Sequence, residues 1–174
     1  MPTPTLYIAN SLGFGTHTRE HMLRDVVATV RDMGFRVIEP FHDNNEKSLE
    51  MERTVEQEFE VAGQDVESTV AADGVLCIVS SPVPDEGAMI EVGIAMALKK
   101  PVFYLNDDFR FRPNGRCLPM NLMLFSHARP NTWEQYYYTS LDSLRDPQKA
   151  LHKWITHVNT PLQTLLEMRQ DSES

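Results

Sequence analysis

The stretch GVLCIVSSPVPDEGAMIEVGIAMALKKPVFYL, residues 74–105, decides the fold. Val75-Leu76-Cys77-Ile78-Val79 is apolar almost without interruption, the pattern of a strand buried on both faces of a parallel sheet. A loop rich in turn formers follows, Ser80-Ser81-Pro82-Val83-Pro84-Asp85-Glu86-Gly87. Residues Ala88 to Leu98 then read as a compact helix with Met89, Ile90, Ile94 and Leu98 on its apolar side, and Lys99-Lys100 complements the negative end of its dipole. Pro101-Val102-Phe103-Tyr104-Leu105 is the next strand, so the stretch is one strand–helix–strand unit.

The same alternation extends towards the amino terminus. Thr5-Leu6-Tyr7-Ile8-Ala9 is a first strand that stops at a loop holding Gly13 and Gly15. From Thr18 to Met33, the residues Met22, Val26, Val27, Val30 and Met33 recur at helical steps, Gly34 is placed to end the helix, and Phe35-Arg36-Val37-Ile38 forms a second strand closed by Pro40. Residues 42–60 are dense in acid and read as a solvated loop running into a helix, which continues through Phe59, Val61, Val66 and Val70 and ends before Asp73-Gly74. Beyond the decisive stretch lie a segment from Leu118 to Phe125 and two expected helices, Trp133 to Tyr138 and Pro147 to Met168. Four strands alternating with helices predict an open parallel α/β sheet with right-handed crossovers. Residues 1–169 are expected to form a single domain and 170–174 a polar tail.

Composition removes several classes of function. The 16 Lys and Arg against 25 Asp and Glu give a net charge of −9, which opposes a partner held by phosphate contacts, so no nucleic acid is expected. No apolar run approaches the roughly 20 residues that cross a bilayer, and the start MPTPTLYIAN lacks the features of a signal peptide. A cytoplasmic protein without a membrane partner is the expectation. Cys77, in a strand pattern, and Cys117, in a loop, have no metal or redox spacing, and read as a buried small hydrophobe and a free thiol.

In a parallel α/β sheet, ligands sit beyond the carboxyl ends of the strands. The loops at 10–17, 40–45, 80–88 and 106–115 therefore carry the candidate residues. Gly13-Phe14-Gly15 lacks both the dinucleotide fingerprint and the Lys-Ser/Thr of a phosphate loop, and reads as a tight turn that lets backbone approach a ligand. Glu91 lies in a predominantly apolar helix, where a carboxylate off the polar face must be paired, neutralised or used. Asp85, six residues earlier, is a natural helix cap, and Asp65 interrupts a semi-apolar helix.

Taken together, Tyr7, Phe14, Asp65 and Asp73 eight apart, the D-E-G-x-x-x-E-x-G-x-A-x-A segment from Asp85 to Ala97, and Asn121-Leu122-Met123 resemble the nucleoside 2-deoxyribosyltransferases over about residues 5–126. The resemblance implies a flavodoxin-like fold and transfer of 2-deoxyribose between purine or pyrimidine bases in nucleoside salvage, with 2′-deoxynucleosides and free nucleobases as small-molecule partners and no cofactor or metal. By position it implies that Glu91 is the nucleophile, that Asp65 exchanges a proton with the base, and that Tyr7 positions the nucleophile. It further implies that Asp85, Phe14, Gly13, Asn121 and Met123 bind substrate, with Asn121 donated to a neighbouring subunit's site in a homo-oligomer, a dimer or hexamer. The chemistry agrees, because a base leaves a sugar poorly unless protonated and the oxocarbenium-like centre needs a carboxylate.

The sequence also departs from the family. Phe41, His42 and Asp43 stand where some members carry a base-orienting glutamine, which leaves base preference open, and the chain runs on past the end of short members. Two other readings stay open. One is a hydrolase of nucleosides or nucleoside 5′-monophosphates, with Thr16, His17, Thr18 and Arg19 available to a phosphate. The other is a nucleotide-binding module without turnover.

Overall fold

The computed structural model describes residues 3–43, 53–80, 83–108, 110 and 118–157. Five parallel strands form one sheet in the order β2-β1-β3-β4-β5: β1 (Thr5–Ala9), β2 (Arg36–Ile38), β3 (Gly74–Ile78), β4 (Val102–Leu105) and β5 (Tyr137–Tyr138). The central strand is β3, and every residue of it is buried. Side chains alternate between two cores, as the two-residue period of a strand requires. Leu6, Ile8, Leu76, Ile78, Phe103 and Leu105 face one side, where they meet Val26, Val27 and Val30 of α1 (Arg24–Asp32) and Leu151 of α5 (Ala150–Thr156). Tyr7, Ala9, Val75, Cys77, Val102 and Tyr104 face the other, which is covered by α3 (Val55–Ala71) and α4 (Glu86–Ala97). A short α2 (Pro40–Asp43) follows β2.

Local chemistry sets the element ends. Thr54 and Gln57 form a reciprocal capping box on α3, with Thr54 N donating to Gln57 Oε1 at 3.0 Å. Asp85 caps α4 by accepting from Ala88 N at 2.9 Å. Gly34 takes φ 103°, the left-handed conformation that stops a helix, as its position predicted. Asp73 accepts from Thr5 N at 2.8 Å and so joins the starts of β1 and β3.

Several expectations need correction. Residues Thr18–Leu23 wind as a π-helical turn before α1, and Leu23 rather than Met22 enters the core, three residues before Val26 as the 3.6 period demands. Helix α4 faces the sheet through Ala88, Val92 and Ala95, with Met89 packed partly against the same core as expected, whereas Ile90 and Leu98 are exposed. Lys100 Nζ donates to the carbonyls of Val70 and Ala72, capping α3 rather than the preceding helix. A fifth strand is present that periodicity missed. Trp133–Tyr136 is a 3₁₀ turn and Tyr137–Tyr138 is β5, so the expected helix at 133–138 does not form. Two residues are too few to show a two-residue period. The helix expected at Pro147–Met168 is described as Ala150–Thr156; residues 158–174, with the expected polar tail, and Cys117 lie outside the described residues. Among the described residues, no helix is long and apolar enough to cross a membrane.

Candidate active site

The site grows from the odd-numbered face of β1. Tyr7 is fully buried there, and its hydroxyl donates to Glu91 Oε1 at 2.5 Å, joining a strand to a helix residue 84 positions later. Glu91 reaches it because α4 packs on the sheet through Ala88, Val92 and Ala95. At 3.6 residues per turn, residue 91 lies on the same face as 88, 92 and 95. Small residues on that face let the helix lie close to the strands, and Glu91 reaches across the gap to Tyr7.

Burial pushes the Glu91 carboxyl up to about 7; the bond from Tyr7 opposes this, while the carboxylates of Asp65, Asp85 and Glu39 push it further up. The Tyr7 phenol is held far above its ordinary value, first by burial and then by the charge and hydrogen bond of Glu91. Asp65 also acts on Tyr7, and so belongs to the same cluster. It is half-buried on α3, and its carbonyl accepts from the hydroxyl of fully buried Thr69 at 2.9 Å. Asp85 sits at the head of α4, with one carboxylate oxygen on Ala88 N. A carboxylate half ionised near neutrality, beside other acids, is the arrangement expected of nucleophilic or acid–base chemistry and not of a stabilising ion pair.

The loop after β1 forms the adjoining wall. Asn10 is buried; its amide donates to Ile8 O at 3.1 Å and to Glu39 Oε1 at 3.2 Å, and its carbonyl accepts from Gly13 N at 3.2 Å. The same Glu39 oxygen accepts from Phe41 N at 3.3 Å. Phe14 is 75% exposed and meets Phe41 edge-on with ring centroids 4.9 Å apart. A methyl group on Gly13 would lie 2.0 Å from the Phe41 ring. Gly13→Ala is therefore expected to displace this loop and destabilise the protein by about 1–3 kcal/mol, the usual range for overpacking; chemical denaturation with the midpoint unchanged would refute that. Thr18 Oγ1 and Arg19 Nη1 are directed at the same loop: Thr18 bonds Leu12 O and Gly15 O, and Arg19 bonds Gly13 O at 3.0 Å. These two residues, considered above for a phosphate, brace backbone instead.

The structure thus gathers Tyr7, Glu91, Asp65 and Asp85 and sets Gly13 and Phe14 beside Phe41, but does not bring Asn121 and Met123 into that cluster. Asn121 Oδ1 accepts from Met123 N at 3.0 Å at the start of a 3₁₀ turn, Leu122–Phe125, and Asn121 and Met123 are exposed. That turn is tied to β4 by Tyr104, whose hydroxyl donates to Leu124 O at 2.6 Å. Sequence reasoning missed Asn10 and Glu39. A glutamate after a strand and an asparagine in a loop resemble ordinary surface residues, and their burial depends on the pairing of β1 with β2.

Comparison with known proteins agrees with this fold. The 2-deoxyribosyltransferase from the psychrotolerant bacterium Bacillus psychrosaccharolyticus superposes with a TM-score of 0.58 at 22% identity, covering 82% of this chain and 90% of that one. The 2-desoxiribosyltransferase from Leishmania mexicana gives a TM-score of 0.59 at 19% identity, covering 88% and 98%. A conserved protein from Enterococcus faecalis V583 gives 0.52 at 21% identity, covering 98% and 99%. At these identities the likeness is one of fold. A search of curated proteins finds no match. The family described as Nucleoside 2-deoxyribosyltransferase matches residues 6–123, most of the chain. The chain belongs to the nucleoside 2-deoxyribosyltransferase family.

Proposed function

We propose that the protein transfers 2-deoxyribose between nucleobases through a covalent glycosyl ester on Glu91. The observation that carries this reading is the 2.5 Å bond from Tyr7 to Glu91 Oε1 in a site that holds the carboxyl near neutrality. Ionised Glu91 attacks the anomeric carbon through Oε2 as the bond to the base breaks, Asp65 protonates the departing base, and Tyr7 holds the carboxylate in line. The second base, deprotonated by Asp65, then takes the sugar and releases Glu91. Asp85 keeps one oxygen on the helix cap and turns the other to the sugar hydroxyls. No cofactor enters this scheme.

Incubation with a 2′-deoxynucleoside and a second base, resolved by chromatography, tests the reading. The exchanged nucleoside is expected; free sugar and base in its place identify an N-glycosidase, and no change overturns catalysis. Ribonucleosides should react more slowly, since a 2′-hydroxyl withdraws electrons from the oxocarbenium-like centre.

Tyr7→Phe probes the positioning role. The Tyr7 bond lowers the Glu91 pKa, so its loss is expected to move the acid limb of kcat/KM to higher pH. An unmoved limb would show that the phenol does not act on the nucleophile.

The site is completed by a second copy in this reading. Exposed Val55, Phe59, Val66 and Val70 on α3, Ile90 on α4, and Leu122 and Met123 beyond β4 set apolar side chains among the exposed glutamates of the outer layer on the Glu91 side. Such a face fits burial against a copy that delivers Asn121. Mixing inactive Glu91→Ala with inactive Asn121→Ala protein is then expected to restore up to about a quarter of the activity, from mixed dimers. Sedimentation of a fully active monomer would refute the shared site.

A further inference from the structure

Beside α1, on the layer of the sheet opposite α3 and α4, lies a cavity of about 360 Å³. This lies within the range of small-molecule sites. Its walls are the π-helical turn and α1 on one side and Glu39, just after β2, with Phe41 of α2 on the other. Leu23 and Val27 form an apolar floor, and Arg19, Arg24 and Arg31 stand around it with His21.

Three arginines at one cavity are a local reversal of charge in a chain of net charge −9. Arg24 and Arg31 are seven positions apart on one helix face, with their Cα atoms about 10 Å apart along the axis. Among the described residues neither makes an ion pair or a side-chain hydrogen bond, although acidic residues outnumber basic ones. Arg19 is already positioned by its bond to Gly13 O at 3.0 Å. The lining also holds two carboxylates: Glu39, 2% exposed, accepts from Asn10 and from Phe41 N, and Glu20 stands beside the arginines. The π-helical turn itself is a rare conformation that occurs frequently at functional sites.

We infer that this cavity is a second ligand site, taking a linear di- or triphosphate across Arg24 and Arg31. Guanidinium groups bind such oxyanions through paired, charge-assisted hydrogen bonds. The spacing of the two arginines matches a ligand with more than one anionic centre, and the apolar floor accepts a nucleoside attached to it. Its arginines and apolar floor lie on the α1 side of the sheet, opposite the layer that holds Tyr7 and Glu91, while Glu39 and Phe41 are shared with the wall that adjoins the Tyr7–Glu91 cluster. The inference does not depend on the proposed transfer reaction.

Isothermal titration of the full chain with tripolyphosphate and with ATP, at low salt, tests it without any turnover. Binding of at least one of them with Kd below about 1 mM is expected, weakening at least about tenfold in Arg24→Gln/Arg31→Gln and weakening with added salt. Tighter binding of ATP would identify a nucleotide as the source of the phosphates, and equal binding an inorganic polyphosphate. The double variant should keep its circular dichroism and its activity on deoxynucleosides, while Glu91→Gln should still bind. Absence of binding, equal binding by the double variant, or loss of binding in Glu91→Gln overturns the second site.

Discussion

Glu91→Gln is expected to lower base exchange by at least about a thousandfold and, at the same time, to stabilise the fold above neutral pH. Both effects have one cause. The folded protein raises the carboxyl from its ordinary 4.5 to about 7, chiefly by burial, so the ionised form required for attack is disfavoured by the fold. Because the folded pKa is the higher, this group's contribution to stability is fully present below about 4.5 and is lost as pH rises through about 7. An amide keeps the shape and can still accept from Tyr7, but carries no charge to desolvate. At pH 8 the gain is on the order of 2 kcal/mol, visible as a higher Tm that converges on wild type in acid. The wild-type kcat/KM should rise with pH through about 7 as Glu91 ionises. Activity within tenfold of wild type would remove Glu91 from the nucleophile's role, whereas a glycosyl adduct on Glu91 in mass spectra with a 2-fluoro sugar analogue would establish it.

Asp65→Asn is expected to lower exchange with ordinary bases by about 10²–10⁴-fold, the contribution usual for a positioned general acid. The substitution keeps size and hydrogen bonding but removes the proton. Its effect should shrink towards wild type for a nucleoside with an activated leaving group, which departs without protonation. Asp65 also helps raise the pKa of Glu91, so the acid limb of the variant should move to lower pH. Equal losses for activated and ordinary substrates would instead assign Asp65 a structural role on α3.

The parts of the fold that were legible in the sequence are those whose signal is local. Val75–Val79 is apolar because β3 is central and covered on both faces, and this burial leaves no polar position along the strand. Gly34 and Asp85 act on the backbone beside them, so their roles as helix stop and helix cap can be read without knowing what packs nearby. Glu91 stands out in the sequence for a related reason, as a charge among Met89, Ile90, Val92 and Ile94. The family segment from Asp85 to Ala97 then implied its role.

Other features follow from contacts that no local pattern contains. Ile90 and Leu98 of α4 suggested an inward position they do not take, because hydrophobicity counts them for more than Ala88 and Ala95; close approach to the sheet selects the small ones, and that choice turns Glu91 towards Tyr7. The buried Asn10–Glu39 link requires β1 and β2 to pair in register, and β5 exists only because β4 offers its edge to Tyr137 and Tyr138. The sequence by itself determined the strand–helix alternation and the identity of the candidate carboxylates, since burial and backbone conformation mark them residue by residue. Their assembly was decided by the tertiary structure alone: the proton affinity of Glu91 depends on desolvation by the packed sheet and on charges from β2, α3 and the head of α4, groups far apart in the chain that meet only at the carboxyl ends of the strands.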